Sequence, residues 1–200
     1  YAQTTSTGTY NINAPVNLMT GSLFKTKSGS DAAITYTVIT DLGESGSTTG
    51  TDLQGINGDR DGNYVLGANI DASDTVSWDG GKGFLSIAAP ATGLLTAFTG
   101  IFDGLGHTIS DLTINRNASY IGLFGYATDA TIQNVGLMNV DISAGYIAGG
   151  LAGQVVNSSV TNTYVTGNIL TTGNSVGGLI GRNNSSMISN SYSTASIRHY

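Results

Sequence analysis

A histidine four residues after an aspartate is the first arrangement in this chain that could do chemistry. Asp103-Gly104-Leu105-Gly106-His107 offers a carboxylate and an imidazole in one short loop, the pair that general acid–base work needs. The glycines around them equally suit a tight turn, and a structural turn is the expected role. Asn57-Gly58-Asp59-Arg60-Asp61-Gly62-Asn63 has the oxygen-rich look of half a calcium loop. An EF-hand loop needs Asp or Asn at positions 1, 3 and 5, Gly at 6 and a bidentate Glu at 12. Position 12 falls on Ala68, and Arg60 adds positive charge, so a polar turn is expected. Asp71, Asp74 and Asp79 surround Trp78, the single tryptophan. An indole face with carboxylates beside it could hold a sugar, and the plainer expectation is a packed indole pinning its loop. Asn117-Ala118-Ser119, Asn157-Ser158-Ser159 and Asn183-Asn184-Ser185 match the N-glycosylation acceptor pattern. Such matches are common in a chain rich in Asn and Ser, and mark exposed turns. His199 near the end is given no role.

The acids set a limit on catalysis. Twelve of the thirteen are Asp, the other is Glu44, and after Ala130 only Asp141 remains. Glycoside-cleaving sites need carboxylates converging on one wall, so any such activity would sit in residues 52–111. An ice-binding array would need threonines repeated in register, but the residue one repeat after Thr131 is Ser159. The net charge is −6 with seven scattered Lys and Arg, which opposes binding to nucleic acid or to anionic membrane. Charged residues are 10% of the chain and hydrophobic ones 40%, too apolar for disorder. Cysteine is absent, which excludes a disulfide scaffold. No apolar run reaches the ~18 residues of a membrane helix, so membrane insertion is not expected. No catalytic, cofactor-binding or metal-ligating residue is assigned.

What must position these residues is a repeat. Gly122-Leu123-Phe124-Gly125, Gly150-Leu151-Ala152-Gly153 and Gly178-Leu179-Ile180-Gly181 follow one another at steps of 28 residues. Ile132-Gln133-Asn134, Val160-Thr161-Asn162 and Ile188-Ser189-Asn190 keep the same step. A fixed period of this length marks stacked repeats, each of them here one coil of a β-solenoid. Ile132, with Val135 or Leu137, should point inward. Glycines should sit at sharp bends, where φ is positive. Asn134, Asn162 and Asn190 should form an amide ladder up the axis, with Asp111 in the ladder position one coil earlier. Tyr164 should stack on Tyr192. Thr108-Ile109-Ser110-Asp111 aligns with Thr131-Ile132-Gln133-Asn134 at a step of 23, giving a first coil five residues shorter.

Along the chain, residues 1–40 read as early coils, with short strands at 10–14 and 17–19 and a clear one at Ile34–Ile39. Residues 41–97 read as an irregular excursion: a Ser/Gly/Thr loop, a short helical turn capped by Thr51 or Asp52, resumed strand character at 63–72, then a stretch with Trp78, Phe84 and Pro90. Residues 98–200 read as regular coils. The whole is expected to be one all-β segment, a parallel β-helix of roughly seven coils, right-handed by the crossover rule. The repeat is still running at the end of the chain, so an internal segment of a longer protein is expected, its end a cut or a contact surface.

The three Gly-Leu-x-Gly motifs and the Ile/Val-x-Asn segments that follow resemble the GLUG repeat of large bacterial surface proteins. Ile34–Ile39, Asp52–Ile56, Asn63–Gly67, Asn69–Ala72 and Phe98–Leu112, which includes Phe102-Asp103-Gly104-Leu105-Gly106-His107, are together similar to regions of filamentous-haemagglutinin-like exoproteins, cargo of two-partner secretion. The resemblance covers roughly residues 30–195. It implies a right-handed parallel β-helix in a rod-shaped secreted adhesin, outside the cell or on its surface at the outer membrane. It carries over no catalytic residues. The expected function is a non-enzymatic stalk or shaft, facing a host or neighbouring cell surface and its glycans, with end-to-end self-association into filaments as a further expectation. A carbohydrate-binding module around Trp78 and a polysaccharide-active enzyme are the alternatives.

Overall fold

Ile132, Val160 and Ile188, each 28 residues from the last, lie side by side on adjacent parallel strands. The structure, a computed structural model, describes residues 12–89 and 96–199; the roles expected for Tyr10, Asn11 and Pro90 fall outside them. Strands β1 (Phe24–Thr26), β2 (Ile34–Ile39), β3 (Tyr64–Leu66), β4 (Ile70–Asp71), β5 (Ile101–Asp103), β6 (Thr108–Ser110) and β7 (Thr113–Arg116) form the early coils. β8 (Phe124–Thr128), β9 (Thr131–Ala144), β10 (Ile147–Gly149), β11 (Ala152–Val156), β12 (Ser159–Thr171), β13 (Ser175–Gly177) and β14 (Ile180–Asn184) follow. β15 (Met187–Ser189), β16 (Tyr192–Ser193) and β17 (Ser196–His199) complete the last coil. The main ladder runs β1-β2-β3-β5-β9-β12-β15. Every step is parallel except β1 on β2, which is antiparallel. Parallel stacking of successive coils makes this a β-solenoid of about six turns.

The strand period of two sets the packing. One inward column runs Tyr64, Phe102, Ile132, Val160, Ile188, and a second runs Ile70, Ile109, Leu137, Val165. The expected inward residues Ile132, Val135 and Leu137 are all buried. Phe124 packs against Phe98 and Phe102 with ring centres 5.0 and 5.3 Å away. In the last coil the equivalent positions open to solvent, with Ile188 39% and Ile197 47% exposed, because no described strand stacks on them.

Six coils form instead of seven because residues 12–26 do not make one. They lie on the outside of the wall. The Val16 N–H donates to the Leu105 carbonyl and the Leu18 N–H to that of Gly67. The outward column explains this placement. It runs Val38, Val65, Asp103, Gln133, Thr161, Ser189, apolar in the first two coils and polar afterwards. Tyr36, Val38, Val65 and Leu105 make a second small core beneath Ile12, Leu18 and Phe24.

The step of 23 is corrected. β5 pairs with Thr131–Gln133 at a step of 30, and β6 with Gly136–Met138 at 28. The two extra residues are absorbed by the Gly104–His107 corner, where Leu105 and Gly106 take φ of 48° and 83°. Asp111 therefore stands beside Asn139, which donates to it at 3.4 Å, and not below Asn134. The role of the motif glycines is also corrected. None of Gly122, Gly150 and Gly178 has positive φ; the left-handed corners are Asp129, Asn157 and Ser185, Asn134, Asn162 and Asn190, and Asp111 with Asn139. Asn and Asp tolerate that conformation through local polar contacts. The motif glycines serve close approach instead: a Cβ on Gly150 would meet Val165 Cγ1 at 2.4 Å and the Gly178 carbonyl at 2.8 Å.

Residues 41–97 carry β3 and β4 within the wall between two 3-10 segments, Gln54–Gly58 and Ser73–Gly81. At the first, Asp52 accepts from the Gly55 N–H at 2.6 Å. Buried Gln54 then ties residue 85 as a strand partner would, donating to the Leu85 carbonyl at 2.9 Å and accepting its N–H at 3.0 Å.

Tyr64 gives the wall a pH limit. Its ring is buried and its hydroxyl donates to the Asp59 carbonyl. Burial, then the charges of Asp59 and Asp61, push that hydroxyl well above the usual tyrosine value. A raised folded-state pKa favours the neutral form. Its stabilisation is complete below about pH 10, the unfolded value, and is lost as pH rises toward the folded value. Urea midpoints should therefore fall between about pH 8 and about pH 11. Tyr64→Phe should lose about 1 kcal/mol at the lower pH and show a shallower alkaline fall; an unchanged slope would contradict this.

Candidate functional site

The densest polar arrangement on the wall begins at Asp103. Strand β5 turns it outward, yet it is fully buried by the corner that follows. Its Oδ1 accepts from the Leu105 N–H at 2.9 Å and Asn134 Nδ2 at 3.0 Å, and its Oδ2 from Gln133 Nε2 at 2.7 Å. Asn134 Oδ1 in turn accepts from Asn162 Nδ2 at 3.1 Å. The expected amide ladder is present between Asn134 and Asn162, with Asp103 at its foot, but it stops there: among the described residues no hydrogen bond joins Asn190 to Asn162. Beside it Tyr164 stacks on Tyr192, centres 5.5 Å apart and planes 10° from parallel. The other face of Tyr164 lies on Gly136, where a Cβ would stand 2.2 Å from Cζ. Both faces of that ring are thus occupied. Burial, then Tyr192, raises the Tyr164 hydroxyl pKa. A cavity of about 360 Å³ opens between Ile12, His107, Asn134, Asn162 and Tyr164.

His107 is buried. Its Nε2 lies 3.0 Å from the Val16 carbonyl and its Nδ1 3.1 Å from Asn69 Oδ1. Asn69 Oδ1 also accepts the Thr108 N–H at 3.1 Å, which fixes the amide's orientation. The ring ties the outer segment to two coils, as a structural turn residue would.

The calcium-like loop spends its oxygens on the chain. Asn57 Oδ1 accepts the Ala88 N–H, Asp61 Oδ1 the Thr99 hydroxyl, and Asn63 Oδ1 the Ile101 N–H, at 3.0, 2.7 and 3.1 Å. Among the described residues no group of three or more His, Cys, Asp or Glu is arranged to hold a metal ion. Trp78 stacks on Phe84 at 6.3 Å and packs against the core. Asp79, at φ 49°, pairs with Arg116 at 3.0 Å and Lys82 at 3.7 Å. Asp71 accepts the Ser73 N–H, which holds its carboxyl below the usual range. One face of Trp78 lies on Phe84, the contact expected of an indole that pins its loop. Asp71 and Asp74 instead border an open depression of about 760 Å³ with Asp41, Glu44 and Asp52.

Sequence reasoning missed the serines that close each corner. Ser158 Oγ accepts the Ala130 N–H at 3.1 Å, Ser186 Oγ the Ser158 N–H at 2.9 Å, and Ser191 Oγ the Thr163 N–H at 3.1 Å. Each hydroxyl serves an N–H exactly one coil away, so the 28-residue register of Ala130, Ser158 and Ser186 was the available signal. Among the described residues no helix is long and apolar enough to cross a membrane.

Comparison with known proteins fits this repeat. The GLUG motif matches residues 172–198, which cover the last coil. Halomucin of Haloquadratum walsbyi is 46% identical over 101 residues, 47% of this chain and 1% of halomucin; the chain thus spans a very small part of that relative. No solved structure matches. The M26 IgA1-specific metallo-endopeptidase N-terminal region matches residues 49–167, from the first 3-10 segment to the middle of β12. That stretch is more than half of the 200 residues, and the chain belongs to this family.

Proposed function

We propose that this chain is a non-enzymatic stalk or shaft segment of a secreted or cell-surface protein. The observation that carries the reading is the use of its polar side chains. The Asp103–Asn134–Asn162 ladder and the corner serines face the next coil, where they set register. Each coil adds about 4.8 Å of length, and turn-on-turn stacking lets stability accumulate with few charges. Such a segment holds other parts of its protein away from the cell. In the finer form it belongs to an adhesin exported as filamentous-haemagglutinin-like exoproteins are, and meets a host or neighbouring cell and its glycans. Self-association would use the last coil, since β1 covers the edge of β2 at the other end.

The test is replacement. Exchanging residues 98–199 in the parent protein for an unrelated solenoid of equal coil number should leave adhesion within about twofold, because a spacer is judged by length. A tenfold loss with the replacement folded would show that these coils bind something themselves. A second reading follows from the family match over residues 49–167: the chain would be an accessory region that carries an IgA1-directed metallo-endopeptidase. Under it, cleavage of IgA1 by the parent protein should fall when the region is deleted.

A further inference from the structure

Four acceptor patterns lie on the wall, and the fold treats them differently. Asn183 is spent: its Nδ2 donates to the Ser186 carbonyl at 3.1 Å, and its Oδ1 accepts the Ser186 N–H at 3.0 Å. In the overlapping Asn184-Ser185-Ser186 the asparagine is free, but Ser186 Oγ is held by the Ser158 N–H at 2.9 Å. Asn157-Ser158-Ser159 and Asn117-Ala118-Ser119 differ from both. Asn157 and Asn117 are exposed. Their carboxamides and the hydroxyls of Ser159 and Ser119 make no hydrogen bond among the described residues.

The corner at Asn157 makes the contrast sharper. It takes φ 47°, as Asp129 and Ser185 do at the same corner of the neighbouring coils, with φ 52° and 58°. Asn134 and Asn162, left-handed at the other corner, give their carboxamides to the ladder, and Asn139 gives its own to Asp111. Asn157 shares their backbone and has none of their partners. A group attached to it projects from an exposed corner without displacing a contact.

We propose that Asn157 and Asn117 are attachment sites for N-linked glycans, and that Asn183 and Asn184 are not. The proposal rests on the extracellular reading above. The co-reactant is an oligosaccharide activated as a lipid phosphate, brought by a membrane transferase. Nδ2 of the asparagine bonds to the anomeric carbon, and that carbon's bond to the phosphate oxygen breaks. The phosphate leaves with the electron pair, and Nδ2 gives one proton to a base of the transferase. The glycans would stand on the wall of the shaft and shield a surface that carries little charge of its own.

The experiment exports the chain, behind an appended signal segment, from a host that glycosylates secreted proteins at Asn-x-Ser/Thr. Peptides of the secreted chain are read by mass spectrometry. Occupancy is expected at Asn157 and Asn117, with Asn183 and Asn184 bare. Ser159→Ala and Asn157→Asp should each abolish the modification at residue 157, and Ser159→Thr should keep it. Ser159→Thr and Asn157→Asp fit the fold, since Thr131 and Asp129 hold the equivalent places one coil earlier, and an unchanged circular dichroism spectrum checks all three variants. A secreted chain bare at Asn157, or one modified equally at Asn183, overturns the proposal and leaves the surface reading intact. Occupancy at Asn157 in this host, with the parent protein absent from the envelope of its own cells, supports the acceptor geometry and sinks the surface reading.

Discussion

Phe124→Ala should be the most damaging single truncation in the chain. Phe124 is fully buried and touches Phe98 and Phe102, so its ring joins the wall of β8 to the wall of β5. Removing it gives up the transfer energy of the ring and leaves a cavity that a rigid stack fills poorly. The expected cost is about 3–5 kcal/mol, and Tm falls by about 6–20 °C. Chemical denaturation with the variant beside the parent chain measures it. A loss under about 1 kcal/mol would mean that the coils close over the gap, and would contradict a tightly registered interior.

Asp103→Ala should come next, for a different reason. No large cavity forms, but the Leu105 N–H, Gln133 Nε2 and Asn134 Nδ2 lose the acceptor they share. An unsatisfied buried donor costs about 1–3 kcal/mol, and the members of one network do not add simply, so about 3 kcal/mol in total is expected. Asp103→Asn should recover part of the loss, because its Oδ1 still accepts from the Leu105 N–H and Asn134 Nδ2 while its Nδ2 turns a donor toward Gln133 Nε2. Hydrogen exchange separates this effect from that of Phe124→Ala. Protection should fall first at Leu105 and across 133–136, and only weakly in β8. Uniform loss of protection would contradict a local ladder.

The parts of the fold that were legible in the sequence are those where the period is unbroken. Ile132, Val160 and Ile188, Asn134 and Asn162, and Tyr164 and Tyr192 all stand where a step of 28 places them. The error came one coil earlier and has a physical cause. A β-branched run ending in Asn or Asp marks a strand that meets a left-handed corner, and each coil has more than one such corner. Asp111 and Asn134 are both left-handed, with φ of 59° and 54°, so they look alike locally while belonging to different corners. The two extra residues at Gly104–His107 remove the spacing that would have told them apart. The glycines misled in a similar way: a repeated Gly-Leu-x-Gly that reads as a bend is a close-approach motif, which only the neighbouring coil can reveal. The outer segment at 12–26 was hidden because its apolar partners, Val38 and Val65, look like ordinary core residues of a strand. Gln54 gave no local signal, since its partner lies 31 residues away. His107 and the Asn57 loop were legible as turns, and their side chains bond to the chain itself; Trp78, legible as an indole beside carboxylates, rests one face on Phe84.

The absence of cysteine allows the coil register to be tested directly. Thr161 and Ser189 face outward on adjacent parallel strands, their hydroxyls 3.1 Å apart. Adjacent strands lie about 4.8 Å apart, within the reach of a disulfide between α-carbons about 4.4–6.8 Å apart. Thr161→Cys with Ser189→Cys should oxidise to an intramolecular disulfide in the folded chain, and Thr161→Cys with Ser193→Cys, beyond the next corner, should not. Equal bridging in both pairs, or bridging only in the second, would contradict a solenoid whose coils repeat every 28 residues.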